Sequence, residues 1–183
     1  MHNERFDPRD PSRPPHVVRG HRRRYEQAAS YVQESGCKNV VDAACGLGHG
    51  AVVLAEAAPN VLGVDRSAEA IRECEARHSG HAGVSFHQAD LRWWDPGKVD
   101  AVVCIDTIEH LEQPQQFVVR MQRAASLFVL AWPFIVNKNP YHISLIYPKE
   151  VMRWFRKWNL LYWQYGPESN RHYLLTVWEK PHA

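Results

Sequence analysis

Short apolar segments alternate with helix-forming segments along most of this chain, and this alternation restricts the possible folds more than any other feature. Apolar segments with the length of buried strands lie at about 38–43, 61–64, 84–87, 99–105 and 127–132. Helices are predicted at about 22–35, 49–58 and 114–124, from Ser67 onward, and from Pro148 onward. An alternation of this kind predicts an α/β sheet with helices on both faces.

The chain ends in two further strands, predicted at about 160–165 and 172–178 and joined through Gly166 and Pro167. Parallel neighbours need a crossover of roughly a dozen residues or more, so this pair must be antiparallel. The predicted architecture is therefore an open, mostly parallel sheet of seven strands in which the last strand runs in the opposite direction.

The first 20 residues differ in composition from the rest of the chain. Four prolines stand among charged residues there, which predicts an extended or flexible N-terminal arm over residues 1–20. Residues 21–183 show no internal repeat and are predicted to form a single domain. The formal net charge of +2 is too small to indicate a polyanionic partner by itself.

The four cysteines form no CxxC pair and no zinc-finger spacing. This pattern favours free thiols in a reducing compartment over a disulfide framework. No signal peptide is apparent, and no run approaches the roughly 20 apolar residues of a membrane span. The sequence therefore predicts a cytoplasmic protein without a membrane span, and it leaves the oligomeric state open.

Three features that suit nucleoside binding fall at the predicted carboxyl ends of the first three strands. The first is the glycine-rich loop DAACGLGHG at residues 42–50, whose glycines let the backbone approach a ligand. Asp65 ends the second strand, where a carboxylate can accept both ribose hydroxyls. Asp90 follows the third strand, where it can accept from an adenine amine while Leu91 offers its N–H to the ring. Ligands of open α/β sheets bind at these ends, so the three features together predict a nucleoside site.

A nicotinamide dinucleotide is the alternative ligand for such a loop. Its fingerprint is G-x-G-x-x-G with the pyrophosphate at the helix N-terminus, whereas the spacing here is Gly46-x-Gly48-x-Gly50. His49 crowds the start of the helix, and the chain after the fifth strand is too short for a second mononucleotide-binding half. A cofactor without a pyrophosphate fits this spacing better.

The segments VVDAACGLGHG, VLGVDRS, FHQADL and VDAVVCIDTIEHLEQP resemble the successive motifs of class I, Rossmann-like SAM-dependent methyltransferases, of the small stand-alone domain type. GHRRRYEQAASYV is similar to the entry helix of a subset of this family, and the resemblance runs from about His21 to the C-terminus. Two positions depart from the pattern: Ala44 replaces the first loop glycine, and residues 123–126 replace a Pro-Gly-Gly turn. The resemblance implies SAM as the cofactor and S-adenosylhomocysteine (SAH) as the product.

The resemblance also implies roles for individual residues. Asp42 and the loop would face the methionine part of SAM, Asp65 its ribose, and Asp90 its adenine. Arg24 or His21 would pair with the cofactor's carboxylate. The full set of implied cofactor contacts is Arg24, Asp42, Ala43, Ala44, Gly46, Gly48, Asp65, Arg66, Asp90, Leu91, Ile105 and Asp106.

A run of titratable residues follows the fourth strand, at the same edge of the predicted sheet. Asp106, Glu109 and His110 are spaced to share one face of a helical turn. His142 follows the fifth strand and can close the set from the opposite wall. Because a base is needed when the methyl acceptor is protonated, we interpret Glu109, His110 and His142 as the candidate catalytic residues.

The same run can also hold a divalent cation, because carboxylates and imidazoles are common ligands. Its spacing resembles that of metal-dependent O-methyltransferases of ubiquinone biosynthesis and of the small-RNA 2′-O type, with Asp106 in place of the usual Glu. Similar Glu-His runs occur without a metal, where the histidine bonds a backbone carbonyl. The sequence favours a site without metal and keeps the cation as the alternative.

Aromatic residues after the fifth strand bear on the methyl acceptor. Trp132, Phe134 and Tyr141 predict an aromatic wall suited to a planar, sugar-like or amine acceptor. The main prediction is methyl transfer to an O or N atom of a small molecule such as a sugar, a natural product or a quinone-like compound. The alternatives are an RNA 2′-O or other nucleic-acid methyltransferase, and a SAM-binding module without catalysis.

Overall fold

Strands and helices alternate along the chain, which the computed structural model describes over residues 6–134, 139–168 and 171–181. The strands are β1 Asn39–Ala43, β2 Asn60–Asp65, β3 Val84–Gln88, β4 Ala101–Ile105, β5 Leu127–Pro133, β6 Asn159–Glu168 and β7 Arg171–Glu179. The helices are α1 Pro15–Glu34, α2 His49–Ala55, α3 Ala68–His78, α4 Pro114–Ala124 and α5 Pro148–Trp154, and Ile108–His110 form a short 3-10 turn.

The strands form one seven-stranded sheet in the order β3-β2-β1-β4-β5-β7-β6. Strands β1 to β5 are parallel, whereas β7 is antiparallel to both β5 and β6. The predicted fold class is therefore confirmed. The order reverses between β1 and β4, so the chain leaves these two strands in opposite directions and a crevice opens at their carboxyl ends.

Both faces of the sheet are covered, as the apolar composition of its central strands predicts. Every residue of β4 and β5 is buried. Helix α1 contributes Ala28 and Val32 to the core on one face. Helix α4 contributes Phe117 and Met121 to the core on the other face.

The predicted N-terminal arm is wrong over residues 15–20, which belong to α1. A proline at the first helical position lacks only an N–H that has no partner in the helix, so Pro15 starts α1 rather than preventing it. Two side chains at the start of the described part of the chain also contact the domain. Phe6 stacks on His21 with ring centroids 3.8 Å apart, and Asp7 accepts a hydrogen bond from Arg77 at 3.2 Å.

Two further boundaries differ from the prediction. Gly166 and Pro167 are not the turn of the terminal hairpin, since both pair within it, with Tyr173 and His172. Apolar residues at Val151, Trp154, Phe155 and Trp158 follow helical spacing, but helix α5 ends at Trp154, one turn before the last of them. Trp154 and Trp158 nevertheless both pack against the core.

Two predictions about the whole chain are addressed by the described residues. None of the helices described is both long enough and apolar enough to cross a membrane. The four cysteines are buried free thiols, as the sequence predicts: Cys37, Cys45, Cys74 and Cys104.

Candidate cofactor and catalytic site

The carboxyl ends of β1 and β4 carry an unusual backbone conformation. Ala44 follows β1 with φ 64° and Asp106 follows β4 with φ 53°, and these are the non-glycine residues with positive φ among those described. A non-glycine residue in this region costs roughly 1–3 kcal/mol and persists only where the surroundings impose it. Strain of this kind collects at functional sites, and here it marks the two sides of the crevice.

The glycine loop is shaped by packing as well as by conformation. Gly48 caps α2 with φ 80°, and a Cβ there would lie 2.8 Å from Phe86 Cζ. A Cβ on Gly50 would overlap the ring of Tyr25. The sequence predicts that the loop glycines allow a ligand to approach, whereas the structure gives these two a further role in seating the loop against β3 and α1.

Asp65 holds the glycine loop in place. One carboxylate oxygen accepts from the Gly46 N–H at 3.2 Å, and the other accepts from the Ser67 N–H at 2.9 Å. The carboxylate therefore lies beside the loop, at the carboxyl end of β2. Arg66, the next residue, is exposed.

Asp90 and Leu91 lie at the end of β3, as predicted, but Asp90 has a partner that the sequence analysis did not identify. Its carboxylate accepts from Arg92 Nη2 at 2.6 Å and from Arg92 Nε at 3.0 Å. These hydrogen bonds lower the pKa of Asp90. An adenine amine that approaches Asp90 therefore has to compete with Arg92 for its carboxylate oxygens. The side chain of the neighbouring Trp93 is 80% exposed.

Asp42 is fully buried beneath the loop rather than open to the crevice. The Tyr25 hydroxyl donates to its Oδ1 at 3.0 Å, while Oδ2 has no hydrogen-bond partner among the described residues. Burial raises the pKa of Asp42 to about 7. The position predicted to face the methionine part of SAM is thus tied to α1, and its charge is sensitive to pH near neutrality.

Arg24 and Asp106 form an ion pair across the crevice. Arg24 Nη2 lies 2.7 Å from Asp106 Oδ2, and the Arg24 side chain is only 10% exposed. The Arg24 guanidinium also lies 4.5 Å from the centre of the Tyr173 ring. His21, the alternative partner for a carboxylate, is turned toward Phe6, and burial lowers its pKa to about 4. Of the two, Arg24 keeps a positive charge at neutral pH.

Three of the predicted titratable residues lie close together near the carboxyl end of β4: Glu109, His110 and His142. One ligand atom from each lies within 4.8 Å of the others, and the two imidazole rings meet edge to face with centroids 4.7 Å apart. Asp106 is outside this cluster. Its left-handed backbone ends β4 and turns the side chain toward Arg24, so the expectation that Asp106 shares a face with Glu109 and His110 is wrong.

The carbonyl of Tyr141 fixes the orientation of His110. His110 Nδ1 lies 2.9 Å from that oxygen, and a carbonyl only accepts, so Nδ1 carries the proton. In the neutral ring, Nε2 then carries the lone pair that can accept a proton, and it lies 3.8 Å from Glu109 Oε1. The cluster can therefore accept a proton at His110 Nε2, or it can offer two imidazole nitrogens and a carboxylate oxygen to a divalent cation.

The aromatic wall predicted after β5 is only partly present. Trp132 is fully buried, and its indole N–H donates to the Ile146 carbonyl at 3.0 Å. It therefore belongs to the core. Phe134 contacts the ring of Tyr165, and Tyr141 is 46% exposed. These last residues remain available to line an acceptor pocket.

Comparison with known proteins agrees with this geometry. Residues 40–126 match a family model described as a methyltransferase domain. A ubiquinone biosynthesis O-methyltransferase of Cupriavidus pinatubonensis is 35% identical over 86 residues, which make up 44% of this chain and 34% of that protein. An uncharacterized RNA methyltransferase of Halalkalibacterium halodurans is 36% identical over 87 residues, 44% of this chain and 19% of that protein. The matches thus span about a third or less of these relatives' own lengths.

The fold is shared with solved methyltransferase structures. The magnesium protoporphyrin IX methyltransferase of Synechocystis PCC 6803, crystallised with SAH, superposes with a TM-score of 0.78 at 16% identity, over 91% of this chain and 86% of that one. At this identity the likeness concerns the fold. The chain thus has the Rossmann-like fold of class I SAM-dependent methyltransferases, and residues 40–126 match a methyltransferase domain.

Proposed function

We propose that this protein binds SAM at the carboxyl ends of β1 to β4 and transfers its methyl group to an O or N atom of a small-molecule acceptor. The observation that carries the proposal is the crevice itself. The two strained residues, Ala44 and Asp106, border it, and the glycine loop is tied to Asp65 beside it. The sequence match to a methyltransferase domain supports the same activity.

In this proposal each cofactor contact is made by a group at the edge of the sheet. Asp65 accepts from the ribose, and Asp90 with the Leu91 N–H reads the adenine. The backbone of Ala43, Ala44, Gly46 and Gly48 and the side chains around Ile105 surround the methionine part. Arg24 pairs with the carboxylate of SAM, and Asp106 with its ammonium group, so that cofactor binding replaces the 2.7 Å ion pair between these two residues.

The reaction is an in-line displacement at a methyl group that the sulfonium already activates. Positioning of donor and acceptor supplies much of the rate. An acceptor hydroxyl or ammonium must also lose a proton. His110 Nε2 takes that proton, because Nδ1 is held by the Tyr141 carbonyl. Glu109, buried beside the ring, stabilises the imidazolium that results.

The convergence of Glu109, His110 and His142 also favours a second candidate mechanism. In that mechanism the three side chains hold a divalent cation, which supplies a Lewis acid for an acceptor oxygen. Removal of metal with a chelator, followed by assay with added Mg²⁺ or Mn²⁺, decides between the two. Activity that is unchanged by the chelator and by the added ions excludes the cation.

Calorimetry with SAM and with NAD tests the cofactor. Binding of NAD without binding of SAM would contradict the proposal. Incubation with isotope-labelled SAM and a cell extract, followed by mass spectrometry, tests the acceptor. A labelled small molecule supports the proposal, labelled RNA supports a nucleic-acid methyltransferase, and the absence of labelled product despite tight SAM binding supports a non-catalytic module. The four free thiols favour a reducing compartment, so we propose the cytoplasm as the site of the reaction.

A further inference from the structure

A cavity of about 470 Å³ lies between α1 and the β6–β7 hairpin, beside the crevice. This volume falls within the range of small-molecule sites, roughly 300–1,000 Å³. The cavity is lined by Arg23, Arg24, Gln27, Gln164, Gly166, Tyr173 and Leu175, and we call it the arginine cavity. It is separate from the glycine loop and from the cluster at Glu109.

Two elements aim hydrogen-bond donors into the arginine cavity. Arg23 and Gln27 are four residues apart on α1 and therefore lie on the same face of the helix. Gln164 lies opposite them on β6, paired with the buried Leu175 at the floor of the cavity. The side-chain oxygen Oε1 of Gln164 accepts a hydrogen bond from the Tyr162 hydroxyl at 2.7 Å. The side-chain NH₂ group of Gln164 therefore remains to donate to a ligand.

The charge of the arginine cavity is positive. Two arginines and no acidic residue stand among the described residues that line it. Asp106 compensates the charge of Arg24. Arg23 is exposed, and its guanidinium forms no ion pair with any of the described residues. A ligand with an oxyanion supplies the missing charge and accepts from several of these donors at once.

The position of the arginine cavity connects it with the reaction. Arg24 belongs to its wall and also reaches Asp106 at the end of β4. Tyr173 completes that wall and pairs with Pro133, at the carboxyl end of β5. A molecule held by one end in the cavity thus has its other end free to extend past Arg24 toward the crevice.

We propose that the arginine cavity binds an oxyanion of the methyl acceptor, a carboxylate or a phosphate, so that the acceptor is a small organic acid. This inference rests on the proposed methyltransferase function and specifies its substrate class. Arg23, Gln27 and the Gln164 NH₂ group bind the oxyanion, and the ring of Tyr173 packs against the body of the acceptor.

The test uses ¹⁵N-labelled protein saturated with SAH and titrated with benzoate, phenyl phosphate and the neutral isostere benzamide. Benzoate or phenyl phosphate should shift the signals of the Tyr173 and Leu175 amides and of the Gln164 side chain, whereas benzamide should not. Which of the two anions binds more tightly identifies the oxyanion. Arg23→Gln should weaken anion binding at least tenfold. Arg72→Gln, the same change at an exposed arginine of α3, should leave it unchanged.

Several outcomes contradict the inference. Equal binding of benzamide would show that the cavity recognises the ring and not the charge. Competition between benzoate and SAH would assign the cavity to the carboxylate of the cofactor. A lack of benzoate and phenyl phosphate binding in protein that does bind SAH overturns the inference while the proposed function stands. If SAH itself does not bind, the proposed function fails. Titration of the cofactor-free protein with benzoate and phenyl phosphate then tests whether the arginine cavity binds an oxyanion.

Discussion

Replacement of Asp42 by asparagine should stabilise the cofactor-free protein above neutral pH. The carboxyl group is fully buried. Tyr25 donates a hydrogen bond to Oδ1 and the backbone of Ala51 also stabilises the carboxylate, but Oδ2 has no hydrogen-bond partner among the described residues. Burial raises its pKa from the ordinary 3.8 to about 7. Asparagine keeps the shape of the side chain and the acceptor for Tyr25, but it cannot ionise.

The magnitude follows from the difference in pKa between the unfolded and folded states, 3.8 and about 7. The folded state binds the Asp42 proton more tightly than the unfolded state, so protonation of Asp42 stabilises the fold. This stabilisation is fully present below pH 3.8 and is lost as the pH rises through 7. At about 1.4 kcal/mol per pKa unit, ionisation of Asp42 removes about 4 kcal/mol by pH 8. The new NH₂ group meets no partner at the former Oδ2, which costs roughly 1–3 kcal/mol. The net gain from Asp42→Asn at pH 8 is therefore about 1–3 kcal/mol.

Urea unfolding at pH 5, 6, 7 and 8 measures this effect. The difference in unfolding free energy between the variant and the wild type should rise with pH. Asp100→Asn is the matched control, because backbone hydrogen bonds from Asn39 and Lys38 lower the pKa of Asp100. Its stabilisation is lost only as the pH falls below the ordinary 3.8, so the Asp100→Asn difference should stay constant between pH 5 and pH 8. A difference for Asp42→Asn that is the same at pH 5 and pH 8 would refute the argument from burial.

Three further changes test other parts of the site. Asp65→Ala should weaken SAM binding by roughly 1.5–3 kcal/mol, the scale of charged hydrogen bonds, and calorimetry measures this directly. Gly50→Ala should destabilise the protein by about 1–3 kcal/mol, because the added methyl overlaps the Tyr25 ring. Gly80→Ala, where a Cβ meets no atom within 4 Å, is its control in urea unfolding. His110→Gln should lower kcat about 100-fold and leave the Kd of SAM unchanged; equal kcat values would exclude His110 as the base.

The parallel part of the sheet could be predicted from the sequence because buried strands require continuous apolar residues. The predicted strand 127–132 corresponds to β5, Leu127–Pro133, and the predicted helix 114–124 has the bounds of α4. The same argument placed the carboxylates of Asp65 and Asp90, since Asp65 is the last residue of β2 and Asp90 lies two residues after the end of β3. Their position depends only on where a strand ends.

Contacts between side chains far apart in the chain could not be predicted in this way. The Tyr25–Asp42 hydrogen bond and the Arg24–Asp106 ion pair join α1 to strand ends that are 17 and 82 residues away. Strand and helix periodicity says which face a residue occupies, but not which polar group it meets there. The left-handed backbone of Asp106, which decides its partner, has no signal in the sequence.

The error at Trp132 was avoidable. Side chains alternate along a strand, so Trp132 lies on the same face as Phe128 and Leu130. All three are fully buried in one core cluster. Trp132 was instead predicted, together with Phe134, to face a ligand at the end of the strand. Its position within β5 rather than after it places Trp132 in the core instead.

The strained backbone at Ala44 has a consequence for laboratory evolution. Glycine adopts a φ near 64° without the penalty that a Cβ incurs, about 1–2 kcal/mol. Selection for heat resistance alone therefore favours Ala44→Gly, and the same change loosens the turn that borders the crevice. Selection for both heat resistance and turnover should retain alanine and gain stability at positions away from the sheet edge. The identity of residue 44 in evolved populations thus reports whether turnover depends on a rigid turn at this site.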